Sequence, residues 1–142
     1  MTRREIRDSA FKLMFEKLLR DDSMDELYAI AEDIDEVIVN DKVRELVDGS
    51  LAHAEEIDGI IQQYSKTRAI TRIPKLNHAI LRIALYEILY DDGTPQNAAI
   101  NEAVELAKTY TYQEDASFVN GLLGAYARDH AEPAQAGAQT EA

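Results

Sequence analysis

The chain has 142 residues, with 15 basic and 27 acidic side chains, a net charge of −12, no Cys, no Trp and 46% apolar residues. One domain fits that length, and the lack of cysteine excludes disulfide scaffolds, Cys-ligated zinc, iron–sulfur clusters and thiol nucleophiles. The start, MTRREIRDSAFKLMFEK, has no apolar stretch of signal-peptide length, and the longest near-apolar run, Ala79 to Tyr90, holds Arg82 and Glu87 and falls far short of the ~20 residues that span a bilayer, so a cytoplasmic protein with no membrane contact is expected.

The periodicity is helical from the first residues. Ile6, Ala10, Leu13, Met14 and Leu18, with the stem of Lys17, recur at spacings of three and four, as one buried helix face requires. Thr2 with Glu5 three residues on has the pattern of a capping box. Asp21, Asp22 and Ser23 stop that helix and cap a second, which runs on Leu27, Ile30, Ala31 and Ile34. A third, capped by Asn40 or Asp41, keeps Val43, Leu46, Val47, Leu51, Ala54, Ile57, Ile61 and Tyr64 on one stripe for about six turns. Residues 65–72, SKTRAITR, are polar and basic and read as a hinge between an N-terminal half, about 1–66, and a C-terminal half, about 72–130.

Pro74 suits the first turn of the next helix, where its missing N–H costs nothing. That helix carries Leu76, Ile80, Ile83, Ala84 and Ile88 on one face and Leu81, Leu85 and Leu89 beside them, so it is apolar nearly all round and belongs at the centre. Asp91 to Pro95 break it. A fifth helix follows on Ala99, Ile100, Ala103, Val104, Ala107 and Tyr110, and a sixth on Phe118, Val119, Leu122, Leu123 and Tyr126. Gly121 and Gly124 inside the sixth predict a close helix approach. Residues 131–142 lack apolar periodicity and are expected to be a disordered tail. No strand-like alternation persists, and the expected class is all-α, a bundle in two halves.

Charge is segregated along the chain. Residues 1–20 carry net +3 and 61–90 net +4, while 21–60 carry net −12 and 91–142 net −7. Packed together, the two basic blocks would form a patch that docks an anion locally while the rest repels bulk nucleic acid; packed apart, they only solvate helix faces. His53, His78 and His130 have no metal-ligand spacing, no glycine-rich phosphate loop is present, and 27 carboxylates make any acid/base pair uninformative. No catalytic residue, metal or cofactor is expected. Arg82 and Glu87, inside the most apolar helix, each need a partner. Glu102 is a candidate mate for Arg82 in a structural ion pair; alternatively Lys75, His78 and Arg82 share a face that meets phosphate. Arg3, Arg4 and Arg7 lie on roughly one side of the first helix, and Phe118 is either core or a base-stacking ring.

Three blocks, LRIALYEI at 81–88, AINEAVELAK at 99–108 and SFVNGLL at 117–123, together with the RRxxRDxAF pattern from Arg3 to Phe11, resemble the signature of the NusB family of bacterial transcription antitermination factors. The likeness covers roughly residues 3–128. It implies a NusB-like fold of about six to seven helices in two helical subdomains, without enzymatic activity. It further implies that the protein pairs with the small-subunit ribosomal protein that doubles as NusE, that the pair recognises single-stranded boxA RNA in nascent ribosomal RNA, and that it joins the RNA polymerase antitermination complex. By position, the RNA-contacting groups implied are Arg3, Arg4, Arg7, Phe15, Arg82, Phe118 and Asn120, and the partner-contacting ones Lys75, Asn77 and His78.

Three positions depart from that pattern: Glu5 stands where many relatives carry arginine, Ser117 where lysine is common, and Asn77 where an acidic residue is frequent. Alone, the chain is therefore expected to bind RNA weakly, at ~10⁻⁴–10⁻⁶ M, and better with its partner. The RNA is expected to cross a positive patch built by the first helix and residues 68–82, and Arg7→Glu to abolish binding without unfolding the chain. The alternative reading is a homo-oligomeric helical interaction protein, a homodimer in its simplest form, without specific RNA binding.

Overall fold

Residues 2–130 are described in the computed structural model; the expected tail at 131–142 lies outside the described residues. Among the described residues seven α-helices follow one another: α1 (Arg3–Leu19), α2 (Met24–Glu32), α3 (Asp41–Ala52), α4 (Ala54–Tyr64), α5 (Lys75–Tyr90), α6 (Gln96–Tyr110) and α7 (Gln113–Asp129), with one 3-10 turn at Ile70–Arg72. No strand occurs among the described residues.

Local chemistry sets the starts. Glu5 N–H donates to Thr2 Oγ1 at 3.1 Å and Thr2 N–H to Glu5 Oε1 at 3.0 Å, the reciprocal box read from the sequence. Ser23 and Glu26 repeat it at α2, and Asn40 Oδ1 accepts from Val43 N–H at 2.9 Å at α3. Pro74 stands one place before the α5 helix proper, as its N-cap.

The six-turn third helix is instead two. The chain bends at His53, which ends α3 and starts α4. No Pro or Gly marks the bend, and the apolar stripe runs through it, so periodicity alone could not show it. The bend lets α3 pack on α1 and α5 while α4 packs on α5 and α7. The His53 ring stacks on Tyr90 with centroids 4.0 Å apart.

Helix α5 occupies the centre, against α1, α3, α4, α6 and α7. One cluster of buried apolar side chains draws on both halves of the chain, from Ala10, Phe11 and Met14 on α1 through Ile80, Leu81 and Leu85 on α5 to Leu123 on α7. The expected close approach at Gly121 and Gly124 is absent. A Cβ at Gly121 would meet nothing within 4 Å, and at Gly124 only Arg128 Nη1 at 3.6 Å. Gly49 on α3 is the close approach, since a Cβ there would overlap the tip of the Tyr86 ring.

Candidate nucleic-acid interface

The arginines of α1 reach across to the far end of α5 and the start of α6. Arg3 Nη1 donates to the Gly93 carbonyl at 3.2 Å, with Asp91 3.7 Å from Nη2. Arg4 grips Glu102 with two bonds of 3.0 and 2.8 Å, and that fork, with the guanidinium charge, holds the Glu102 carboxyl below its usual range. Arg7 Nε donates to both oxygens of Glu87 at 2.8 and 3.0 Å. Thr94 Oγ1 lies 2.8 Å from Asp91 Oδ2 and 3.3 Å from Glu87 Oε2.

Burial separates these arginines. The Arg4 side chain is 71% exposed, that of Arg7 only 9% and that of Glu87 4%. Arg7 therefore satisfies an internal charge, and Arg7→Glu would set two carboxylates together in the core. The expectation that this substitution leaves the fold intact is corrected accordingly.

The expected Arg82–Glu102 ion pair does not form, because Glu102 is committed to Arg4. Arg82 pairs with Asp58 of α4, Nε at 3.0 Å and Nη2 at 2.6 Å, while Nη1 points at Met14 Sδ, 3.8 Å away. His78 Nε2 lies 2.8 Å from the same Asp58. Burial alone would raise the Asp58 carboxyl, but the bonds from His78 and Arg82 and their charge outweigh it and hold it at about 2. The face expected to offer Lys75, His78 and Arg82 to phosphate thus turns two of the three inward onto Asp58, and only Lys75 remains exposed. Asn77 is fully buried: Nδ2 donates to Asp115 Oδ1 at 2.9 Å and Oδ1 has no partner among the described residues. It ties α5 to α7 and offers no surface.

Phe15 is partly buried and stacks on Phe11, centroids 6.4 Å apart. Phe118 is likewise partly exposed, with the Arg68 guanidinium over its ring at 4.9 Å. Asn120 is exposed, in an open groove of about 580 Å³ between α6 and α7 that also presents Asn101, Lys108, Gln113 and Ser117. A second groove, about 440 Å³ between α1 and α6, is lined by Arg4 and Arg7 but also by Glu5, Asp8, Asp35 and Glu36. Glu105 borders both, so a surface path leads from Arg4 across α6 to Asn120. The α1–α6 groove is acidic and disfavours phosphate; the α6–α7 groove is rich in amides that suit base edges.

Sequence reasoning missed Asp58 and, although it placed Arg68 in the basic patch at 68–82, missed the contact of Arg68 with Phe118. Asp58 follows Ile57 directly beside the apolar stripe, and an acid there was the available signal for the partner Arg82 needed. Arg68 gave none, since its ring contact joins segments fifty residues apart. Among the described residues no three His, Asp or Glu side chains gather as metal ligands, and no helix is long and apolar enough to cross a membrane.

Residues 4–128 match the NusB family. Transcription antitermination protein NusB of Acetivibrio thermocellus is 42% identical over 128 residues, covering 87% of each chain. The solved structure of T. maritima NusB superposes with a TM-score of 0.80 at 29% identity, over 95% of this chain and 96% of that one. A chain from the crystal structure of antitermination factors NusB and NusE in complex with dsRNA superposes with a TM-score of 0.76 at 28% identity, over 87% of this chain and 93% of that one. A shared fold and sequence identity of this extent along almost the whole described chain have one meaning: the chain belongs to the NusB family.

Proposed function

We propose that this chain is a transcription antitermination factor that binds boxA RNA of nascent ribosomal RNA transcripts together with a NusE-type small-subunit ribosomal protein, and that the pair joins the RNA polymerase antitermination complex. Its likeness to a chain from the complex of NusB and NusE with dsRNA carries this reading; relatives named transcription antitermination protein support it. The protein works as an adaptor in the cytoplasm, without a cofactor and without chemistry of its own.

In this reading the exposed polar and aromatic groups touch RNA and the buried charges hold the scaffold. Arg3 and Arg4 meet backbone, Phe118 and Phe15 offer ring faces, and Asn120 reads a base edge from the α6–α7 groove. Arg7 and Arg82 act through structure, fixing α1 and α4 on α5. Contact with the ribosomal protein at the start of α5 then falls to exposed Lys75 and partly buried Leu76, with His78 and Asn77 shaping the helix from within.

The test is a titration of boxA-containing against scrambled RNA at one moderate salt concentration, with and without the ribosomal protein. Selective binding that the partner strengthens is the expected result. Equal binding of both RNAs by a folded sample in either condition would overturn the proposal and leave the homo-oligomeric alternative to be tested by concentration-dependent mass.

A further inference from the structure

From Gly59 to Tyr86 the chain contains no Asp or Glu, while it contains Lys66, Arg68, Arg72, Lys75 and Arg82. The acids that bound this stretch, Asp58 and Glu87, are already engaged, by Arg82 and Arg7. The α4–α5 loop within it is built. Ser65 Oγ donates to the Arg68 carbonyl at 2.7 Å, Ile70 N–H to Gln62 Oε1 at 2.8 Å, and Ile73 is anchored in the core. Lys66, Arg72 and Lys75 are exposed, and none has an ionic partner among the described residues. Arg68 turns back over Phe118, so one cation of the loop reaches a partly exposed aromatic ring in the first half of α7.

We infer that this loop is a second phosphate-binding surface for single-stranded RNA, with the Phe118 ring beside it as a base platform, and that it supplies more of the salt-dependent binding than the arginines of α1. The physical ground is counterion release. A cation already neutralised by a carboxylate of its own chain gains little when phosphate replaces that carboxylate, whereas an unpaired one contributes in full. Cations interleaved with an aromatic face are the recurring form of single-strand recognition. The inference rests on the RNA-binding reading above.

The experiment measures affinity of the full chain for a boxA-containing and a scrambled single-stranded RNA between about 50 and 200 mM salt, the range over which neutralised phosphates dominate the change. The variants are Lys66→Gln/Arg72→Gln and, separately, Arg3→Gln/Arg4→Gln. The loop variant is expected to flatten the slope of log K against log salt by about 1.4, near 0.7 for each phosphate of a single strand that is no longer neutralised, and the arm variant by less than about 0.7. Phe118→Leu is expected to weaken binding about tenfold at an unchanged slope. An unchanged slope in a folded loop variant, while the wild type still selects boxA, overturns the inference and leaves the RNA reading standing. Equal flattening by both variants overturns the ranking of loop over arm. A wild type that binds neither RNA overturns both readings.

Discussion

The first turn of α1 and the loop before α5 are the two cationic segments of this molecule, and their surroundings differ sharply. Arg3, Arg4 and Arg7 face carboxylates supplied by Asp91, Glu102 and Glu87, whereas Lys66, Arg72 and Lys75 lie in a stretch that has none. Counting basic residues ranks the two segments alike. Counting those without an ionic partner ranks the loop above the arm, and that second count governs affinity for phosphate and its response to salt. The arm has instead become part of the fold, clamping α1 to the far end of α5.

The largest effect that follows from this contrast is on stability. Arg7→Ala strands Glu87 in the interior and is expected to cost about 3–5 kcal/mol in urea unfolding, while Lys66→Gln/Arg72→Gln/Lys75→Gln stays within about 0.5 kcal/mol of wild type. A small cost for Arg7→Ala would return that residue to the surface and erase the distinction.

Asp58→Asn comes next, at about 2 kcal/mol, less than the Arg7 pair because the Asp58 side chain is 27% exposed and water screens it. Its carboxyl is held at about 2 in the folded chain, against 3.8 for an unperturbed aspartate. The stabilisation is therefore complete above about pH 4 and is lost as the pH falls through 2. The variant is expected to flatten that acid limb of the stability curve, which acid titration at several urea concentrations would measure.

A smaller effect appears in binding. Glu102→Gln releases Arg4, and the slope of log K against log salt is expected to steepen by about 0.7, the value for one phosphate of a single strand. A slope that does not move would mean that Arg4 never meets phosphate. Smallest of all, Arg3→Gln is expected to change stability by less than about 0.5 kcal/mol, because its ion pair is long and solvent-exposed.

Where the sequence was informative, it was so through short-range rules. Thr2 and Glu5 sit three apart, as a capping box needs, and the near-continuous apolar face of 76–89 required a central helix; both hold. The bend at His53 was hidden because an apolar stripe continues across it and no breaking residue marks it. Pairing was the least legible layer. That Arg82 and Glu87 needed partners followed from burial, but which acid or base answered each depends on helix crossings: Asp58 lies 24 residues from Arg82 and Arg7 lies 80 from Glu87. Thus the site's residue types could be read before the fold, while the division into cations that bind and cations that brace needed the third dimension.

The clamp on α1 also bears on how the protein is made. Arg4 meets its carboxylate 98 residues further along the chain, which at synthesis rates of roughly 5–20 residues per second is an interval of about 5–20 s. Arg7 and Arg3 wait almost as long, for Glu87 and Asp91, so the first helix to be made is the last to be braced: α1 has all three of its carboxylates only once the chain has been extended into α6.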